Sequence, residues 1–219
     1  MIGDPTRAVM LEALLGGEAL SAGELARRAW VAPPTASAHL ARLVDGGLLI
    51  STRSGRHRYF TLANAGVAEA LEALARIASR RSGVVDHSGA ANGSIRFART
   101  CYDHLAGVLG VMVTERLVDK RYLVGTDGYE VTAAGTAWLE SLGADVAAFA
   151  RTRRAVARPC LDWTERRNHL AGAAGAAVVS TLLGKRWLAR IPGTRAVRLT
   201  LRGREGLYRT LGLELSLGG

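Results

Sequence analysis

Leu20-Ser21-Ala22-Gly23-Glu24-Leu25-Ala26-Arg27-Arg28 opens the part of the chain that decides the fold. The stretch continues through Pro33-Pro34-Thr35-Ala36-Ser37-Ala38-His39-Leu40-Ala41-Arg42-Leu43 and Gly46-Gly47-Leu48-Leu49, and ends in Arg53-Ser54-Gly55-Arg56-His57-Arg58-Tyr59-Phe60-Thr61-Leu62. Ser21 with Glu24 is a capping box, in which each side chain takes up a free amide at the start of a helix. Past the Pro33-Pro34 turn, Ala36, Leu40, Leu43 and Val44 recur at helical spacing, which leaves Thr35, Ser37, Ala38, His39 and Arg42 on the flank or outside. Residues 48–50 and 58–62 read as strands around a Ser54-Gly55 turn. The expected order is a short helix, a turn, a second helix and a basic hairpin.

That order describes a winged helix-turn-helix, and its implied partner is double-stranded DNA. Short polar side chains at the start of a groove-sized helix reach base edges. Thr35, Ser37, His39 and Arg42 are therefore the candidate readers, against the alternative of an ordinary solvated face. Arg53, Arg56, His57 and Arg58 crowd the hairpin, where they would hold phosphate and make binding salt-dependent without specifying sequence. A charged edge hairpin can also serve only to block strand-to-strand aggregation.

Working outward, Asp4-Pro5 starts a first helix with Val9, Met10, Leu14 and Leu15 as its buried stripe, ended by Gly16-Gly17. Asn64 caps a further helix whose Val67, Leu71, Leu74 and Ile77 form an apolar stripe, read as homodimer surface. Residues 82–94 are small, polar and glycine-rich and read as a linker, with His87 as a solvated loop residue. The domains are thus expected at 1–81 and 95–219.

The balance of charge is +10 over 219 residues, which favours a polyanionic partner. Only Lys120 and Lys185 are lysines, so arginine-rich composition alone is the competing explanation. With 48% hydrophobic residues the chain can bury a core. Two cysteines, Cys101 and Cys160, suit a reduced cytoplasmic protein better than a disulfide scaffold. No apolar run has membrane-spanning length, so no membrane partner is expected.

Residues 3–78 resemble the ArsR-type winged-helix repressors of bacteria, through Gly3-Asp4-Pro5-Thr6-Arg7, the 35–40 helix, Gly46-Gly47-Leu48-Leu49 and Gly55-Arg56-His57-Arg58-Tyr59. The later segment Arg158-Pro159-Cys160-Leu161-Asp162-Trp163-Thr164-Glu165-Arg166-Arg167, followed by His169-Leu170-Ala171-Gly172, is similar to that of a longer subgroup. The resemblance implies a homodimer on a palindromic operator that leaves when an effector binds. The arsenic site of the family uses paired cysteines where this chain has Glu24 to Arg28 without a thiol. Its zinc site needs Asp and His pairs along the dimer helix, and residues 64–81 contain no His. Neither site carries over, and the effector is sought in residues 95–219.

That second half carries an internal repeat. His104-Leu105-Ala106-Gly107, Gly110 and Leu117 recur 65 residues later as His169-Leu170-Ala171-Gly172, Gly175 and Leu182. Lys120-Arg121-Tyr122-Leu123 recurs as Lys185-Arg186-Trp187-Leu188, and Val131-Thr132 as Leu199-Thr200. Each copy reads as a long helix, a basic turn, a hairpin and a closing helix, the two packing about a pseudo-twofold axis. The overall expectation is a mainly α protein with small β-hairpins (α+β).

Three readings compete for the second half. The favoured one is an apolar small-molecule cavity: Trp138, Trp163, Trp187, Tyr102, Phe97, Phe149 and Met112 supply surface, and Asp162, Glu165, Arg166, His169 and His104 supply polar groups. Alternatively Cys101, His104, Cys160 and His169 sense a metal or an oxidant. Cys101 and His104 are expected on one helix, while Cys160 does not align with Cys101, whose place in the repeat falls to Arg166. The blandest reading makes the His-Leu-Ala-Gly pair helical and structural. The base expectation is thus no cofactor, with a metal as the alternative. Arg151, Arg153, Arg154 and Arg158 touch DNA flanks or form a solvated face. An enzyme using a Cys–His pair is disfavoured, since no oxyanion signature, phosphate loop or carboxylate pair accompanies it. A non-specific DNA-binding protein is the remaining class.

Overall fold

A computed structural model describes residues 2–54, 57–78, 94–126 and 128–215. The chain divides into two compact units, Met1–Arg80 and Arg81–Gly219. The expected linker, apart from Ser94, and His87 within it lie outside the described residues.

In the first unit, α1 (Pro5–Ala13) starts at Asp4, whose carboxylate accepts the Arg7 amide at 3.0 Å. Met10 and Leu11 are its buried residues, followed past its end by buried Leu14 and Leu15, while Val9, expected inside, is 39% exposed. Strand β1 (Leu20–Ser21) runs into α2 (Ala22–Arg28), and both halves of the Ser21–Glu24 capping box form. The turn to α3 (Pro33–Asp45) contains Trp30, at φ 54° and 94% exposed. β2 (Leu49–Ser54) and β3 (His57–Leu62) make an antiparallel hairpin longer than the pattern suggested, and β1 adds to its β3 edge. α4 (Ala65–Ala78) begins at Asn64, whose side chain accepts the Val67 amide. Leu25, Leu40, Leu43, Leu49 and Phe60 meet Met10, Leu11 and Leu14 in one core, each at most 4% exposed. Burial of such side chains, about 1.5–3 kcal/mol apiece, supplies most of the stability of so small a unit.

The second unit repeats an element order. A hairpin of β4 (Arg99–Cys101) and β5 (His104–Ala106) leads to α5 (Gly107–Asp119), then a hairpin of β6 (Leu123–Val124) and β7 (Glu130–Val131), then α6 (Ala133–Ser141). A 3-10 segment at Val146–Arg151 follows. The order then recurs as β8 (Arg158–Leu161), β9 (Asn168–Ala171), α7 (Gly172–Gly184), β10 (Leu188–Arg190), β11 (Val197–Leu199) and α8 (Leu201–Leu211). Each copy therefore opens with a hairpin that periodicity had assigned to helix.

Local geometry recurs as well. Arg121 and Arg186 both adopt left-handed backbone, at φ 57° and 58°. Thr132 and Thr200 both cap the following helix, accepting the amides of Gly135 at 3.1 Å and Gly203 at 3.0 Å. β5 packs on α7 and β9 on α5, so each opening hairpin lies against the helix of the other copy. The Leu170 amide donates to Thr114 Oγ1 at 2.8 Å across that contact. Leu109, Leu117, Leu182, Leu188, Leu207 and Leu211 fill the shared core with Trp138 and Trp187.

Candidate functional site

The first unit places the groove-reading candidates unevenly. Thr35, Ser37 and Arg42 are exposed on α3, whose opposite face buries Ala36, Leu40 and Leu43. The Ser37 hydroxyl donates to the Pro33 carbonyl at 3.0 Å. His39 differs: its side chain is 17% exposed, and Nδ1 accepts from the Arg7 guanidinium at 3.4 Å. It ties α3 to the start of α1 as much as it faces outward. On the wing, Arg53, His57 and Arg58 are exposed, with Arg53 directly opposite Arg58 in the ladder. Like charges facing each other across a sheet destabilise it. Arg56 lies outside the described residues. Trp30, exposed in the turn before α3, was overlooked in the sequence, and nothing in its local pattern marks it.

In the second unit the cysteines and histidines assemble differently from the helical expectation. Cys101 and His104 are strand partners across a turn of Tyr102 and Asp103, with Tyr102 at φ 60°. Cys160 and His169 are strand partners across the longer excursion 162–167. The two cysteines thus hold equivalent places, each opposite its histidine. The difference in loop length hid this from a fixed repeat offset, which had put Arg166 in register with Cys101. The His-Leu-Ala segments are strand, and the glycine after each makes the corner into the helix. Gly107 and Gly172 sit at φ 80° and 89°, where a Cβ would press on backbone carbonyls within 3 Å.

One ligand atom from each of Cys101, His104, Cys160 and His169 lies within 4.8 Å of every other. Three of the four residues are buried and Cys160 is half-buried. The imidazoles face each other, Nε2 to Nε2, at 3.2 Å. Behind them stand carboxylates: Asp162 Oδ2 is 3.2 Å from His169 Nδ1, and Asp103 Oδ1 is 3.5 Å from His104 Nδ1. Both contacts sit off the line of a good hydrogen bond. A hydrogen bond from Cys101, outweighing burial and aided by both histidines, draws the Cys160 thiol far below the usual thiol range. Burial works against a charged His169, yet Asp162 and the Cys160 sulfur hold its pKa above the ordinary value.

Asp162 is the hub of this region. Both its oxygens accept from one Arg99 nitrogen at 3.0 Å, and it takes the Gly107 amide at 2.7 Å and the Thr164 amide and hydroxyl at 2.9 and 2.7 Å. Arg99 itself, missed in the sequence, is 1% exposed and lies 4.9 Å over the Trp163 ring. Glu165, buried, accepts from Arg96 at 3.3 Å, and Arg166 is half-buried. These polar groups bond to one another rather than line an open pocket. The aromatics offered as cavity walls are largely core: Phe97, Trp138, Phe149 and Trp187 are each at most 9% exposed and Met112 packs on them, while Tyr102 is 71% exposed. The cavity beside Trp138 measures about 10 Å³, barely the room of one water. In the arginine run, Arg154 pairs with Asp103 and Arg151 with Asp145.

A helix-turn-helix domain family matches residues 2–52. The chain is 38% identical over 216 residues to an uncharacterised HTH-type transcriptional regulator, YdfF, of Bacillus subtilis (strain 168), covering 98% of this chain and 96% of that protein. Among solved structures it is similar to a homodimeric winged helix-turn-helix DNA-binding domain of Mycobacterium bovis, a possible ArsR-family regulator. That match has 28% identity over 35% of this chain and 68% of that one, at TM-score 0.32. A predicted DNA-binding transcriptional regulator from E. coli is 32% identical, covering 35% of this chain and 80% of its own, also at 0.32. No helix among the described residues is long and apolar enough to cross a membrane.

Proposed function

The chain belongs to the HTH-type transcriptional regulators, and from that premise we propose that it is an ArsR-type repressor, bound as a homodimer to a palindromic operator and released by a signal received at the Cys101–His104–Cys160–His169 cluster. The observation carrying this reading is the convergence of four sulfur and nitrogen donors within 4.8 Å of one another, beside a core whose cavity at Trp138 holds only about 10 Å³. On the DNA side, support comes from α3, whose Thr35, Ser37 and Arg42 are exposed, and from the wing, whose cations oppose each other. The dimer reading draws support from α4, where Leu74 and Ile77 are 46% and 74% exposed. Twofold symmetry would then put two α3 helices into major grooves about one helical turn, ~34 Å, apart.

The test is the salt dependence of binding to the fragment upstream of the chain's own gene and to random DNA of equal length, with the oligomeric state followed by sedimentation. A steep salt slope with tighter binding to the first fragment, by a dimer, is the expected result. Equal affinity for both would leave only a charge-driven DNA binder.

A further inference from the structure

We infer that Cys101, His104, Cys160 and His169 form a closed, four-coordinate site for a thiophilic divalent cation of the zinc class. The geometry is close to prepared. Zinc–nitrogen bonds of about 2.0 Å in a tetrahedron put two nitrogens about 3.3 Å apart, and the two Nε2 atoms stand at 3.2 Å. The two sulfurs belong to the same cluster, with every donor within 4.8 Å of the others, so small side-chain shifts complete the set. The hairpins supply the donors in matched fashion, each presenting a cysteine and its strand-partner histidine on one face.

The surroundings select the occupant. A carboxylate stands behind each imidazole, as in histidine ligands whose outer nitrogen faces an acid. The two Nε2 atoms that face each other at 3.2 Å are each able to turn a lone pair to one cation placed between them. Asp103 and Asp162 are held by Arg154 and Arg99, so no oxygen donor is offered and hard ions such as magnesium or calcium are disfavoured. Charge decides between oxidation states. Two thiolates and a divalent ion sum to zero beside the self-neutralised Arg99–Asp162 pair, whereas a monovalent ion leaves a net negative charge buried. Four protein donors leave no open position, so the ion clamps the two hairpins together rather than catalysing a reaction.

The site is a claim about this unit alone; its role as the signal rests on the repressor reading above. The test is titration of the full-length, reduced, chelator-treated protein with cobalt(II), followed by zinc(II). Expected are one cobalt per chain with thiolate charge-transfer and tetrahedral ligand-field bands, both abolished by zinc. Cys101→Ser and Cys160→Ser should each reduce the charge-transfer intensity and weaken binding at least tenfold. Asp162→Asn keeps all four ligands and should weaken binding 10–100-fold through the outer contact, with circular dichroism confirming that each variant folds. Absence of these bands in the reduced wild type, or bands undiminished in both serine variants, overturns the site. So does a Cys101–Cys160 disulfide formed by peroxide in a protein that takes up no metal. Cobalt uptake without change in operator affinity leaves the site standing and removes its role as signal.

Discussion

Both oxygens of Asp162 lie 3.0 Å from the same nitrogen of Arg99, and neither side chain is more than 1% exposed. The pair joins β4 of the first copy to the loop after β8 in the second, and the same carboxylate receives the first amide of α5. Removing one partner strands a buried charge, at a cost of about 3–5 kcal/mol. Arg99→Met should therefore lower the melting temperature of the second unit sharply while leaving the first unit's unfolding transition in place. A single unchanged transition in calorimetry would contradict this.

Acid should act on the same contact. Burial alone raises the Asp162 pKa, but His169 and the Arg99 charge hold it far below the ordinary 3.8. The folded state thus binds fewer protons than the unfolded one. The stabilisation is complete above that ordinary value and is lost as pH falls through the lowered one. Asp162→Asn should be less stable at neutral pH and should show a flatter acid limb in denaturant titrations below about pH 4. An acid limb as steep as the wild type's would assign acid sensitivity to other carboxylates.

The wing makes a different kind of prediction. Arg53 and Arg58 oppose each other across the β2–β3 ladder. Replacing both with Thr should leave the free protein as stable or slightly more so. Operator and random DNA should weaken alike, and the salt slope should fall by about two phosphate contacts. Loss of discrimination between the two DNAs would instead give the wing a reading role.

On α3 the roles separate by exposure. Ser37→Ala with Arg42→Ala should reduce operator preference with little change in melting temperature, because both side chains are exposed. His39→Ala should do the reverse, lowering stability through the lost Arg7 contact. Equal effects of the two variants on preference would place His39 among the reading residues.

Gly172 tests the corner between β9 and α7. Its φ of 89° and the carbonyls within 3 Å of a built Cβ make Gly172→Ala strained and crowded at once. The variant should unfold the second unit, or survive only with metal bound, as judged by thermal melts with and without zinc.

Much of the first unit was legible because its signals are local. The Ser21–Glu24 box, the Asp4 cap and the apolar spacing of α3 each depend on neighbours within one or two helical turns. The equivalence of His104 and His169 was legible for a similar reason, as a fixed offset along the chain. The strands that carry them were not: segments of three and four residues have no period long enough to read, and Cys101 three positions before His104 imitates a helical face.

Amino-acid order alone established a DNA-type helix pair with a basic wing; in the second half it offered a recurring pattern of residues and two Cys–His pairs somewhere within it. Tertiary structure decided that Cys101 and Cys160 are counterparts, that the four donors meet, and that Asp162 and Arg99 close on each other rather than on a ligand. Strand register and packing between the two copies bring together residues about 60 positions apart, and no local pattern encodes such a pairing. It follows from which hairpin can lie against which helix once the leucine core is filled.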